Sequence, residues 1–325
     1  MPRCAGGTGR YREIAIILFL IAALRGSKSF VMKIGFIGLG SLGGPIAINL
    51  KESGHAVYVY NRTASKTVPL ASKGAIVCES IAALAKQCGI VFTIVSDDAA
   101  LKMITEGKDG LAANLAADSI HVSMSTILPQ TAFELAAVHE KNNQHYLAAP
   151  VFGRPEAATA KKLNFVISGA EVNKKKIEPL LKDAGGAAVF YFGDNITAAN
   201  TVKLCGNFLI ASALEAIGES VALAGKSGVD AAAMWQMLSQ TLFNTPLYHN
   251  YSNIILQQKF EPAAFTAKLG LKDMNLVLQQ AASVDQHMPL AALLKNNMEQ
   301  LVNNGKENTD WSAVSNGSKY IQASK

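Results

Sequence analysis

Met32-Lys-Ile-Gly-Phe-Ile-Gly38-Leu39-Gly40-Ser41-Leu42-Gly43-Gly44-Pro-Ile-Ala47 decides the fold of this chain. A short apolar run ends in Gly38-x-Gly40-x-x-Gly43 and opens into a helical pattern. The first glycine permits a tight strand-to-helix turn, the second lets backbone approach a pyrophosphate, and the third allows close helix–sheet packing. The helix that follows offers an anion free N–H groups and partial positive charge. Glycines in this spacing are a weak signal alone; a strand before and a helix after make them specific. Gly38, Leu39, Gly40, Ser41, Leu42 and Gly43 therefore read as a dinucleotide-binding turn.

About one strand-length further on, Ala56-Val-Tyr-Val-Tyr60 ends in Asn61-Arg62-Thr63. Enzymes that use NAD usually place a carboxylate there to receive the ribose 2′-hydroxyl. A carboxylate would repel a 2′-phosphate, whereas guanidinium and hydroxyl donors bind one through charge-assisted hydrogen bonds. Asn61, Arg62 and Thr63 thus favour NADP(H), with NAD(H) as the second option.

The 325 residues are enough for a sizeable core and two domains. Half are hydrophobic and 17% are charged, which excludes a disordered chain. The net charge of +6 is scattered, with one dense run, Lys174-Lys175-Lys176, assigned to the solvated face of a short helix. Without basic–aromatic interleaving, a nucleic-acid partner is not expected, and the positive balance fits anionic small molecules. Four cysteines lack metal-ligand spacing, so no metal is expected and reduced thiols of a cytoplasmic enzyme are the simplest account. Residues 1–31 carry an apolar run, Ile14–Leu24, too short to span a bilayer comfortably. They read as a translation-start artefact or dispensable extension, with a membrane anchor as the alternative; otherwise no membrane association is expected.

Strand and helix patterns then alternate. Apolar strands are expected at Ala75–Cys78, Gly89–Val95, Ser119–Ser123, Gln144–Ala149, Asn164–Ser168 and Ala187–Tyr191. Ser96-Asp97-Asp98 is placed to cap a helix, and Pro129 to start one running to about Lys141. Beyond Asn195 there is no convincing strand. Ile196–Ala224 reads as one long apolar helix, with further helices over Asp230–Leu238, Leu269–Val284 and Pro289–Asn303. The expected fold is α/β: a Rossmann-type, doubly wound, mainly parallel sheet over residues 32–193, then an all-helical domain over 194–325. The long helix offers more apolar surface than one small domain covers, so a homodimer or homotetramer is expected.

Taken in order, these landmarks resemble the β-hydroxyacid dehydrogenase family, which includes 3-hydroxyisobutyrate dehydrogenases and glyoxylate/succinic semialdehyde reductases. The resemblance spans residues 32–320 and rests on several motifs. They are Gly35–Gly43, Asn61–Thr63, Ser123-Met-Ser-Thr126, Ala149-Pro-Val-Phe-Gly153, Lys203-Leu-Cys-Gly-Asn207, Phe265-x-x-Lys268-x-x-x-Lys272-Asp273 and Asp310-Trp-Ser-Ala313.

The resemblance implies hydride transfer between nicotinamide and a small carbonyl acid or its hydroxy acid. Lys203 would donate a proton to the carbonyl oxygen, a role lysine suits because partial burial lowers its pKa. Asn207, four residues on, shares its helix face and would bind substrate or orient the lysine. Ser96, Thr126 and Lys272 are implied at the cofactor; Phe265 and Asp273 match positions near the closed active site. One motif departs from the family: Val-Ser-Gly-Gly is common where this chain has Val151-Phe152-Gly153-Arg154. Phe152 removes a hydroxyl and narrows the pocket, Gly153 is retained, and Arg154 reads equally as a carboxylate clamp or a solvent-facing cation.

Two other readings compete. Imine-reducing relatives share the architecture but generally lack the lysine, so Lys203 argues against them. A catalytically silent NADP-binding module would be expected to have lost it too.

Overall fold

Lys33–Ile37 forms strand β1, whose Ile34, Phe36 and Ile37 are buried because helices cover both faces of the sheet. The computed structural model describes residues 31–316. The expectation for the N-terminal extension therefore falls, apart from Val31, outside the described residues, as does the end of the chain from 317. After β1 come helix α1 (Gly43–Glu52) and strands β2 (Ala56–Tyr60), β3 (Ile76–Val77) and β4 (Ile90–Thr93). Helix α2 (Asp98–Thr105), strand β5 (Ile120–Ser123), helix α3 (Pro129–Glu140) and strand β6 (His145–Ala148) follow. All six strands are parallel in the order β3-β2-β1-β4-β5-β6. The order reverses between β1 and β4, and ligands bind at such a switch point.

The sheet stops there. Strands β7 (Val151–Phe152), β8 (Leu163–Ile167) and β9 (Gly186–Tyr191) form a second, three-stranded sheet, with β7 antiparallel to β8 and β8 parallel to β9. The sequence reading had no separate sheet here, nor a strand at Val151–Phe152. A two-residue strand is too short to show alternation. An isolated bridge from Ala148 to Ser168 joins the two sheets. Helix α4 (Glu171–Asp183) carries the lysine run in (i, i+4) ion pairs with Glu171 and Glu178.

The remainder is helical: α5 (Ala198–Lys226), α6 (Ala231–Gln240), α7 (Pro246–Gln257), α8 (Ala267–Ser283) and α9 (Pro289–Leu301), then a 3₁₀ turn Trp311–Asn316. Helix α5 has the length and hydropathy of a membrane span. Its inner face, however, buries Asn200, Lys203, Asn207 and Glu215 against protein. Its apolar partners include Met274, Leu294, Trp311 and Val314. Helix α7 was not expected from sequence. Its Tyr, His, Asn and Ser residues are modest helix formers, and tertiary packing of Tyr251 and Ile255 overrides that weakness.

A polar chain crosses the interior between β4 and α3. Gln144 donates through Nε2 to the carbonyls of Ala112 and Leu115, so its Oε1 accepts from His139 Nδ1 at 2.8 Å. That leaves His139 Nε2 to accept from His121 Nδ1 at 2.8 Å, and His121 Nε2 to accept from the Thr93 hydroxyl at 2.9 Å. Burial holds His121 well below the usual imidazole range and His139 below it. Both are therefore neutral in the folded protein near pH 7, while in the unfolded chain they gain protons below about pH 6.5. The unfolded state binds more protons there, so stability is full above that pH and lost as pH falls. Urea unfolding should lose up to about 1.4 kcal/mol per pH unit for each imidazole below it. The slope should be smaller in His139→Gln; equal slopes would rule the chain out as the cause.

Candidate active site

Three glycines shape the turn after β1 in different ways. Gly38 has φ +98°, and a Cβ there would fall 2.1 Å from the Ile94 carbonyl oxygen. A Cβ at Gly43 would lie 2.0 Å from the Gly38 oxygen. Both positions are thus dictated by the protein's own packing. At Gly40 a Cβ would meet nothing within 4 Å, so this glycine leaves bare backbone facing outward. The N–H groups of Gly40, Ser41 and Leu42 take no backbone or side-chain acceptor among the described residues. Free N–H groups on a bare turn at a helix start fit a dinucleotide pyrophosphate. Leu39 differs: its N–H donates to Asn61 Oδ1 at 2.8 Å, while Asn61 Nδ2 donates to the Thr63 carbonyl at 2.8 Å. Asn61 is therefore a tie between the turn and the end of β2, with its amide already engaged. Arg62 and Thr63 lie exposed beside it.

Below the turn is a cavity of about 440 Å³ lined by residues from both parts of the chain. It gathers Ser41, Leu42, Ser96 and Thr126 from the ends of the parallel strands, and Phe152, Gly153 and Arg154 from the second sheet. Lys203, Asn207, Phe265, Lys272 and Asp273 come from the helical part. Gly38, Leu39, Gly40, Gly43, Asn61, Arg62 and Thr63 do not line it. Ser96 donates to Asp97 at 2.7 Å, and Asp97 caps α2 by accepting from the Ala100 N–H.

Lys203 is buried on α5, and its ammonium is pulled down to about 8 by that burial. The Asp273 carboxylate pushes its pKa up and the Lys272 ammonium pushes it down. Asp273 is fully buried. Its Oδ2 accepts from Asn207 Nδ2, and its Oδ1 lies 2.7 Å from Lys272 Nζ in a charge contact without hydrogen-bond alignment. Lys272 Nζ also donates to the Thr126 carbonyl at 2.8 Å, linking α8 to the end of β5. Asn207 thus directs an amide N–H to the Asp273 carboxylate, which in turn acts on Lys203. A buried cation of lowered pKa, steadied by one carboxylate, can give up and regain a proton near neutrality.

Arg154 lines the cavity. Its Nη2 lies 3.4 Å from Asp310 Oδ2, its Nε 3.7 Å from Glu156, and its guanidinium 5.2 Å above the Tyr251 ring. The two-pronged clamp is not free in this arrangement, because Asp310 takes one prong; Nη1 is buried without a partner. Asp310 is itself a hub, accepting from Ser312 N and Oγ and from the Ala264 and Phe265 N–H groups. Trp311 closes the wall, with the Phe265 ring edge-on at 4.8 Å and its own Nε1 donating to Tyr251 Oη at 2.9 Å. Tyr251, Asp310 and Trp311 were not singled out from sequence as site residues. The only signal for any of them was the Asp310-Trp311 motif.

The parallel sheet with its glycine turn and the lysine-bearing cavity below define a dinucleotide-dependent oxidoreductase. Residues 33–193 match the model of the NAD binding domain of 6-phosphogluconate dehydrogenase. Residues 197–316 match that of the NAD-binding region of NADP-dependent 3-hydroxyisobutyrate dehydrogenase. The uncharacterized oxidoreductase YfjR of Bacillus subtilis is 41% identical over 87% of this chain and 98% of its own length. Glyoxylate/succinic semialdehyde reductase 2 of Arabidopsis thaliana is 30% identical over 87% of this chain and 78% of its own length. The structure of 3-hydroxyisobutyrate dehydrogenase from Mycobacterium tuberculosis with L-serine superposes with a TM-score of 0.80. It is 24% identical, covers 88% of this chain and 98% of its own, and shows the fold. The chain belongs to the β-hydroxyacid dehydrogenase family and is an NAD(P)-dependent hydroxyacid dehydrogenase.

Proposed function

We propose that the chain reduces a small carbonyl acid with NADPH, and runs the reverse oxidation of the hydroxy acid, with Lys203 as general acid and base. The observation that carries this reading is the Lys203 ammonium, buried in the cavity and lowered to about 8. The nicotinamide supplies the hydride when bound. Gly38 to Gly43 would hold the pyrophosphate, and Ser96, Thr126 and Lys272 would face the nicotinamide end. Lys203 gives its proton to the carbonyl oxygen as that oxygen gains charge, and takes one from the hydroxyl in reverse. Asp273, held by Asn207 and Lys272, keeps a compensating negative charge beside the lysine. Phe152, Gly153 and Phe265 shape the substrate end, and Arg154, which lines the cavity, is the cation assigned to a substrate carboxylate. We assign nucleotide binding to residues 32–193 and substrate closure and self-association to the helical domain, where Leu209 and Leu223 of α5 stand exposed.

A screen of NADPH oxidation with glyoxylate, succinic semialdehyde, methylmalonate semialdehyde, tartronate semialdehyde, larger aldehydes and cyclic imines tests the reading. Turnover of an aldehyde acid supports it. Turnover of imines alone would replace it with imine reduction, and NADPH binding without turnover would leave a silent module.

The preference for NADPH rests on Arg62 and Thr63, exposed at the end of β2 where no carboxylate stands. Arg62→Ala should weaken NADPH binding by roughly 1–3 kcal/mol through lost charge-assisted bonds. NADH binding should barely move. Calorimetric titration of both cofactors measures this, and equal affinities in the unmodified protein would contradict the preference.

A further inference from the structure

Lys203 reaches into the cavity on a flexible four-carbon stem, yet its Nζ makes no hydrogen bond or ion pair among the described residues. It does lie over an aromatic face: Nζ is 4.1 Å from the centroid of the Phe152 ring. The ring in turn is seated against α5 by a missing side chain. A Cβ at Gly206 would fall 2.3 Å from Phe152 Cζ and 2.5 Å from Cε1. Gly206 sits in the interior of a 29-residue helix, where glycine is less favourable than any residue but proline. It is three residues beyond Lys203, on the same face. Local propensity does not explain a glycine there; the ring does.

We propose that Phe152, seated in the notch left by Gly206, is the positioning residue that holds the Lys203 ammonium toward the substrate's carbonyl oxygen. This rests on the role given to Lys203 above. The electron-rich ring face attracts the cation and cuts the number of conformers the stem explores. A hydrogen-bond acceptor in the same place would consume one of the ammonium's three N–H donors. The ring face attracts the charge without a carboxylate or carbonyl acceptor, so an N–H remains to be donated to the substrate oxygen. The other ionisable groups acting on Lys203 are Asp273, which favours its charged form, and Lys272, which opposes it. The ring adds to the side of Asp273.

The test uses the full chain labelled with [6-¹³C]lysine, the Lys203 signal being assigned by its loss in Lys203→Arg. Phe152→Leu keeps apolar bulk without the ring face, and the Lys203 titration midpoint should fall by about half a unit to one unit. Gly206→Ala should displace the ring and move the midpoint the same way. In Phe152→Leu/Gly206→Ala the leucine lacks the clashing atoms, so the midpoint should move no further than in Phe152→Leu alone. Single-turnover reduction of the aldehyde acid taken from the screen should fall about tenfold in either single variant, with NADPH affinity unchanged. An unmoved midpoint in Phe152→Leu would overturn the proposal, as would single-variant effects that add fully in the double variant. The titration needs no substrate. A shifted midpoint with no aldehyde acid turned over would sustain the ring's hold on Lys203 and refute the reading of Lys203 as the proton donor.

Discussion

Lys203→Ala should slow turnover by about 10²–10⁴-fold, the range typical of losing a general acid, and leave NADPH affinity nearly unchanged. The separation follows from geometry: the glycines of the turn and the exposed end of β2 do not line the cavity, whereas Lys203 does. Lys203→Arg should not recover the rate, because a guanidinium holds its protons far above neutrality and its planar fork does not fit a point-charge role. Asn207→Ala should cost less, since its amide binds Asp273 and reaches the chemistry through that carboxylate. Rates must be taken in a single turnover, so that product release does not hide the proton transfer. Full single-turnover rates in Lys203→Ala would remove the lysine from the mechanism.

The second large effect is expected at Asp273. Asp273→Asn places an amide N–H donor where the structure has a carboxylate oxygen 2.7 Å from Lys272 Nζ. Removing one partner of a buried charge pair costs on the order of 3 kcal/mol, the lower end applying because Lys272 keeps some contact with solvent. Urea unfolding should report that loss. The chemistry should shift as well, in a direction fixed by sign. The carboxylate raises the Lys203 pKa, so neutralising it drops that pKa below its present value of about 8. The pH above which reduction falls off should therefore move down. Unchanged stability together with an unmoved pH profile would show that Asp273 is not the counter-charge.

The strand, glycine turn and helix that open the fold were legible from sequence because they are consecutive in the chain. Gly38 and Gly43 answer to atoms packed against the turn, Gly40 leaves its backbone bare, and Lys203 and Asn207 share a face by their spacing alone. The cavity's far wall was not legible in the same way. Arg154 finds Asp310 across 156 positions, and Asn207 finds Asp273 across 66, distances over which periodicity carries no information. Gly206 read as one letter of a lysine motif until the Phe152 ring was seen against it. Asn61 was expected to face the cofactor; that its amide also ties the glycine turn to β2 is a use only the packed structure reveals. The split into two sheets was hidden for a related reason: β8 and β9 have the apolar pattern of buried strands, and pattern does not say which sheet a strand joins.

The central claim, proton transfer through Lys203, is tested most directly by the pH dependence of single-turnover hydride transfer in both directions. Reduction requires the protonated lysine and oxidation the neutral one. The account predicts that the reduction rate falls and the oxidation rate rises across a midpoint in the region of pH 8. Each direction has its own midpoint because the two nicotinamide forms differ in charge, and both limbs vanish in Lys203→Ala. Limbs that persist in Lys203→Ala, or profiles flat across that region in the unmodified enzyme, would contradict it.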